Sequence, residues 1–234
     1  MTVRDTADRD RRASPPTDFA RVLITGASGL LGKALVRAAR THNLFVYGQI
    51  HRRRPPAREH TEWLGAEFDG ATGVARFLSD HAARLASCRY LINCYGPLTQ
   101  RDTRAVTPDD LVREFHHNVV VPVSLTRFLL RNAPLVSVVF IGFETVGEDK
   151  GYHEVLPYAV AKNALLTITR SFAADLAPVR FNMVSPVTLE GADVPRRGGR
   201  RVPPERVAET VLTVLLGKES GTHHRMAGGI EDGS

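Results

Sequence analysis

Five short apolar runs recur along the chain, at 21–25, 43–49, 90–94, 136–142 and 179–184, and stretches with helical spacing separate them. The runs are short and continuous in Val, Ile, Leu and Phe, which marks strands covered on both faces rather than surface strands with one wet side. A weaker extended segment at 66–69 falls between the second run and the third. The helical stretches lie at 30–42, 73–87, 109–132, 157–177 and 203–216. Strands alternating with helices in this way predict a doubly wound parallel α/β sheet with right-handed crossovers. A chain of 234 residues suffices for one such domain with a sizeable core. No repeat or composition break divides 20–234, so a single domain is expected there. Residues 1–19, charged and carrying Pro15 and Pro16, read as a disordered leader without the apolar core of a secretory signal.

Charge and cysteine usage narrow the partners. The formal charge of +6 points to an anion. The arginines cluster at Arg52-Arg53-Arg54 and at Arg196-Arg197 and Arg200-Arg201, without the interleaved aromatics of a single-strand nucleic-acid groove. A nucleotide phosphate is therefore the expected target, and no nucleic-acid partner is expected. No apolar run approaches the roughly 18 residues of a membrane span. Cys88 and Cys94 have no second pair to make a metal site, and read as buried free thiols in a reducing cytosol, giving a cytoplasmic expectation. His223-His224, with no third ligand nearby, reads as a surface pair, and no metal is expected.

The segment Val22-Leu23-Ile24-Thr25-Gly26-Ala27-Ser28-Gly29-Leu30-Leu31-Gly32 is a strand, a glycine-rich turn and a helix start. Its position after the first strand suits a dinucleotide: glycines let the pyrophosphate approach the backbone, and the helix presents unpaired N–H groups to it. Gly26, Ser28, Gly29, Leu31 and Gly32 are the candidate contacts. The second strand runs into His51-Arg52-Arg53-Arg54 with no carboxylate to hold ribose hydroxyls. Arginine grips a 2′-phosphate through charge-assisted hydrogen bonds, so NADP(H) is favoured over NAD(H), with His51, Arg52 and Arg53 as its candidate partners.

From Arg21 to about Gly217 the chain resembles the short-chain dehydrogenase/reductase superfamily. The resemblance rests on the glycine turn, Asp69, Asn93-Cys94-Tyr95-Gly96, Asn118, Tyr158-Ala159-Val160-Ala161-Lys162 and the stretch through Ser185-Pro186 to Thr188. It implies a Rossmann fold in which Asp69, Asn93, Tyr95, Gly96, Lys162, Pro186 and Thr188 border the cofactor. It also implies Tyr158 as proton donor, Lys162 as its partner and ribose anchor, and Asn118 as the holder of a relay water. Tyr158 and Lys162 stand four apart and project from one helix face, and the ammonium is expected to lower the tyrosine pKa towards neutrality.

The family's catalytic serine is replaced. Counting thirteen residues before Tyr158 reaches Thr145, whose hydroxyl suits the role; a one-residue slide reaches Glu144, and a vacant role is the third alternative. An acidic residue there resembles pteridine and dihydromonapterin reductases, so the substrate expectation is a small metabolite such as a pterin or a ketone, reduced at C=N or C=O. The spacing Gly26-x-x-Gly29-x-x-Gly32 is closer to the longer, sugar-nucleotide-modifying branch. The rival readings are an NADP(H)-binding sensor and a non-redox relative. The resemblance further implies a homodimer or homotetramer paired through 109–132 and 157–177. The Arg-rich loop 189–202 reads as a flap over an anion or as a solvated surface.

Overall fold

The computed structural model describes residues 19–51, 55–148, 151–193 and 201–226. Seven strands, β1 (Ala20–Ile24), β2 (Leu44–Ile50), β3 (Thr61–Gly65), β4 (Cys88–Asn93), β5 (Ser137–Ile141), β6 (Arg180–Pro186) and β7 (His223–Met226), form one sheet in the order β3-β2-β1-β4-β5-β6-β7. Every pairing is parallel. Helices α1 (Leu30–Thr41) and α7 (Pro204–Leu216) cover one face; α2 (Gly70–Asp80), α4 (Pro108–Phe115), α5 (Val121–Asn132) and α6 (Leu156–Asp175) cover the other, with the short α3 (Ala82–Leu85) between α2 and β4. The expected doubly wound α/β domain is the observed one. β2 and β5 are buried along their whole length, as continuous apolar runs require. The strand order reverses between β1 and β4, and the crevice that opens there at the carboxyl ends of the strands is where such sheets bind ligands.

Three elements depart from the sequence expectation. The third strand is Thr61–Gly65 and not 66–69. Trp63 carries it, pairing beside Gly48, where a β-carbon would lie 2.6 Å from the indole ring. The helix expected over 73–87 starts at Gly70 and breaks after Asp80. The helix expected over 109–132 is interrupted by a π turn at His116–Val120 between α4 and α5. Pro122 supplies the reason: it has no N–H for the carbonyl four residues back, Asn118, and its ring crowds that oxygen. The helix widens, so that Val121 N–H reaches His116 O, five residues back. The leader up to residue 18, Arg52–Arg54 and Arg196, Arg197 and Arg200 lie outside the described residues.

Leu212 on α7 is fully buried in the cluster that holds Leu35 of α1. Leu212→Ala is expected to cost about 2–5 kcal/mol of unfolding free energy in a denaturant titration. A cost below about 1 kcal/mol would mean that α1 and α7 do not share this core.

Candidate active site

The glycine turn is held from both neighbouring strands. Gly26 adopts a φ of 64°, open to glycine at little cost. Gln49, buried at the end of β2, accepts the Gly26 N–H at 2.8 Å through Oε1 and takes the Ala27 N–H at 2.9 Å on its carbonyl. The Thr25 hydroxyl accepts the N–H groups of Cys94 and Tyr95 at 3.1 and 3.0 Å, tying the turn to the end of β4. A β-carbon on Gly32 would lie 2.1 Å from Gly26 O, so only glycine lets α1 start this close to the turn. The first helical bond runs from Lys33 N–H to Gly29 O. The N–H groups of Leu30, Leu31 and Gly32 precede it and face the turn without helical acceptors. This cradle fits the pyrophosphate of a dinucleotide. Leu31 offers its backbone alone, since its side chain is in the core. Thr25 and Gln49 were not singled out from sequence; a polar Gly-Gln step inside an apolar strand was the available signal.

Tyr158 and Lys162 project from α6 towards the end of β5. Lys162 is 3% exposed, and its ammonium donates to Ile141 O at 2.8 Å. Its Nζ lies over the Tyr158 ring, 5.4 Å from the centroid. Asn118, fully buried in the π turn, comes to the same place through Gly96: a β-carbon there would sit 2.3 Å from Asn118 Oδ1 and 3.1 Å from Lys162 Nζ. Gly96 is thus the gap through which the β4 loop lets these two groups converge. Asn118 Oδ1 has no hydrogen-bond partner although it is buried, and neither has the amide of Asn93 at the end of β4. Buried unpaired polar atoms are costly and mark a place where a ligand or water is wanted. Tyr158, Lys162, Asn118 and Gly96, found separately in the sequence, are therefore neighbours.

Their electrostatics differ from the expectation. Burial, reinforced by Glu114 and then Cys94, pushes the Tyr158 phenol above its ordinary range. Burial also pushes Lys162 down to about 8, against the opposing pull of Cys94 and Glu114. The lysine therefore does not draw Tyr158 towards neutrality. Desolvation outweighs a cation that is itself buried and spent on a carbonyl. The phenol stays protonated. Cys88 and Cys94 are free thiols, each pushed up to about 12 by burial and hence unreactive.

The replaced serine also resolves differently. Thr145 and Glu144 lie in a turn over 144–147, with Glu144 exposed and the Thr145 carbonyl accepting from Tyr152 Oη at 2.8 Å. The side chain set against the Tyr158 ring is Phe143, at 5.3 Å between centroids. Asn163 fastens this turn, accepting the Gly147 N–H at 2.8 Å and donating to Tyr152 Oη at 3.2 Å. Phe143 lies two residues further from Tyr158 than Thr145, because the loop between β5 and α6 is longer than a count of thirteen spans.

The remaining candidates are spread around the rim. His51, exposed at the end of β2, meets Glu67 Oε1 at 3.0 Å, which brings a carboxylate to a place where the sequence showed only bases. Asp69 is exposed at the start of α2; Asp69 and Glu114 reinforce the burial that pushes Tyr95 up to about 12. Tyr95 Oη contacts His117 Nδ1 at 2.9 Å. Pro186 ends β6, and Thr188 O takes the Val202 N–H at 3.0 Å, closing the base of the Arg-rich loop. Arg201 donates to Leu189 O and Ala192 O, which ties it to its own loop. His223 is turned to Ser185 at 2.8 Å and His224 to Glu219 at 3.3 Å. Among the described residues no helix is long and apolar enough to cross a membrane.

A parallel doubly wound sheet with a glycine turn after β1 and a Tyr–Lys pair at the end of β5 defines a dinucleotide-binding domain of the Rossmann type. The model of the NAD dependent epimerase/dehydratase family matches residues 22–230, and the chain belongs to that family. Its fold is that of the short-chain dehydrogenases. A short chain dehydrogenase family protein from Francisella tularensis subsp. tularensis SCHU S4 superposes with a TM-score of 0.78 at 21% identity, covering 90% of this chain and 98% of that one. A short chain dehydrogenase from Leptospira borgpetersenii serovar Hardjo-bovis, solved with bound NAD+, gives 0.77 at 19% identity, over 90% and 92%. A putative betaketoacyl-ACP reductase gives 0.73 at 22%, over 90% and 97%. No curated protein sequence matches the chain.

Gly32→Ala is expected to weaken dinucleotide binding at least ~10-fold, read by nucleotide fluorescence, because the added methyl meets backbone that cannot yield. Affinity unchanged in a folded variant would remove the turn from the binding site.

Proposed function

We propose that this chain is an NADP(H)-dependent reductase of a C=O or C=N bond in a small metabolite, with Tyr158 as proton donor. The observation that carries the reading is the convergence of Tyr158, Lys162 and the unpaired Asn118 Oδ1 around Gly96. Bound NADPH supplies the hydride. Tyr158, kept neutral by its surroundings, gives its proton to the substrate oxygen or nitrogen as the hydride arrives. Lys162 balances the phenolate that this leaves and holds the nicotinamide ribose. Asn118 Oδ1 accepts from a water that returns the proton. Phe143 beside Tyr158 keeps bulk water off the phenol and offers no second donor. A carbonyl oxygen accepts two hydrogen bonds and an imine nitrogen one, so this wall suits C=N, as in a pterin, better than a ketone.

The preference for NADP(H) rests on the absence of a carboxylate from β2. Glu67 beside His51 favours NAD(H) as the second reading, since a carboxylate near the ribose suits free hydroxyls and repels a 2′-phosphate. Phe143 in place of a hydroxyl favours a nucleotide sensor without turnover. Two free thiols suit a reducing cytoplasm. We assign pairing into a homodimer or homotetramer to the flank of α4 and α6, where Leu111, Val112, Phe115 and Val160 are exposed, Val112 to 68%.

Titration with NADPH and NADH, followed by absorbance loss over dihydropterins, quinones, keto-esters and 4-keto sugars, tests the reading. NADPH is expected to be consumed with one class, and Tyr158→Phe to slow that turnover by about 10²–10⁴-fold. The rate is expected to fall as pH rises through about 8, where Lys162 loses its proton. Tight binding with no turnover would support the sensor, and faster use of NADH would support the second reading. In sedimentation, the wild type is expected above monomer mass and Val112→Glu at monomer mass; a monomeric wild type would remove the pairing.

A further inference from the structure

Glu114 lies on α4, one turn before Asn118, and is 1% exposed. The helix that carries it is firmly started: Thr107 and Asp110 form a capping box, and the Thr107 N–H, ahead of Arg113 and Arg101, holds the Asp110 carboxyl down to about 2. Both oxygens of Glu114 are used as acceptors. Oε1 takes the Thr99 N–H at 2.9 Å and Oε2 the Asn118 Nδ2 at 2.9 Å. No cation among the described residues is within ion-pair distance of it. A buried carboxylate supported only by neutral donors is expensive, and an apolar side chain would fill the same space more cheaply.

The hydrogen bonds say what the charge does. Asn118 Nδ2 is directed to Glu114 Oε2, to Glu114 O and to Pro97 O, the latter two at 3.2 Å. With its NH2 group fixed, the amide turns Oδ1 the other way, towards Gly96 and Lys162. A glutamine at 114 would have one acceptor oxygen for two donors, so Thr99 or Asn118 would face an NH2 group.

We propose that Glu114 is a positioning residue of this site: its carboxylate locks the Asn118 amide with Oδ1 towards Lys162 and sets a fixed negative charge beside the Tyr158–Lys162 pair. The assignment rests on Tyr158 and Lys162 being the reacting pair. The charged and titratable groups facing that pair are Glu114 from α4 and Cys94 from the end of β4. Glu114 also faces Tyr95. Negative charge favours the protonated form of both partners, so its removal moves the ionisation of Tyr158 and of Lys162 in one direction, to lower pH.

Only Lys162 titrates in a convenient range, and the chain has just three other lysines, Lys33, Lys150 and Lys218. In protein labelled with ¹³Cε-lysine, the signal lost in Lys162→Met identifies it, and its wild-type midpoint is expected at about 8. In Glu114→Gln the midpoint is expected to fall by about half a unit or more, and in Glu114→Asp, with the charge kept, to lie between the two. An unchanged midpoint in Glu114→Gln overturns the proposal. Should that variant not fold, hydrogen exchange of the side-chain amides in ¹⁵N-asparagine-labelled wild type decides: Asn118 is expected to exchange far more slowly than the exposed Asn132, and equal rates overturn it. With a substrate found in the nucleotide panel, Glu114→Gln is expected to lower kcat ~10-fold or more with KM within about threefold. The titration needs neither nucleotide nor substrate. A moved midpoint without turnover anywhere in the panel would sink the reductase reading alone, and an unmoved one in an active reductase would sink the Glu114 assignment alone.

Discussion

Covering a parallel sheet on both faces removes water from every strand at once, and polar groups not spent on the ladder must find partners where the strands end. Gln49, Thr25 and Lys162 obey that constraint, while Asn118 Oδ1 and the Asn93 amide are the buried groups that do not. Gln49 closes β2 by holding the glycine turn, and Thr25 closes β1 by gathering two N–H groups from the end of β4. Lys162 reaches in from α6 to the carbonyl that ends β5. Because β1, β4 and β5 are adjacent, these local solutions fall side by side. The same crevice holds the phosphate cradle, the Tyr–Lys pair and the unpaired oxygen of Asn118.

The dryness that builds the sheet also governs the acid. Tyr158 and Lys162 are both shifted towards their neutral forms, the phenol up and the amine down, and in each case burial is the first cause. A cation beside a tyrosine favours the phenolate, but desolvation of the phenol opposes it, and for Tyr158 burial is the larger effect. Here Lys162 is 3% exposed. A nucleotide entering the crevice adds negative phosphates and displaces water, so the balance found without it is the starting point of the chemistry.

The parts legible in the sequence were those encoded by contiguous residues. The glycine turn and the Tyr–Lys spacing each lie within a single segment, and apolar continuity located five of the strands to within about two residues. The missed parts come from contacts between segments. β3 slipped to Thr61–Gly65 because Trp63 needs the space beside Gly48 on another strand. The π turn was readable from Pro122, but the apolar periodicity of 109–132 hid it. Nothing in the sequence singles out Glu114, since nothing local says that α4 is pressed against α6. The residue opposite Tyr158 depended on the length of an irregular loop, and no count along the chain finds Phe143.

Phe143 and Glu114 bear on the same phenol from different sides. The aromatic ring packs against that of Tyr158, and the Glu114 carboxylate adds to the burial that opposes a phenolate. A hydroxyl at 143 would instead donate to an anionic oxygen and ease ionisation. In the reductase proposed above, a ring where a hydroxyl could stand does more than leave out a hydrogen bond, because Tyr158 would keep its proton until a substrate with a basic acceptor atom arrives. The stronger that acceptor, the smaller the cost of giving the proton up. An imine nitrogen is more basic than a carbonyl oxygen, and a site that holds its proton tightly discriminates between them by that difference in basicity.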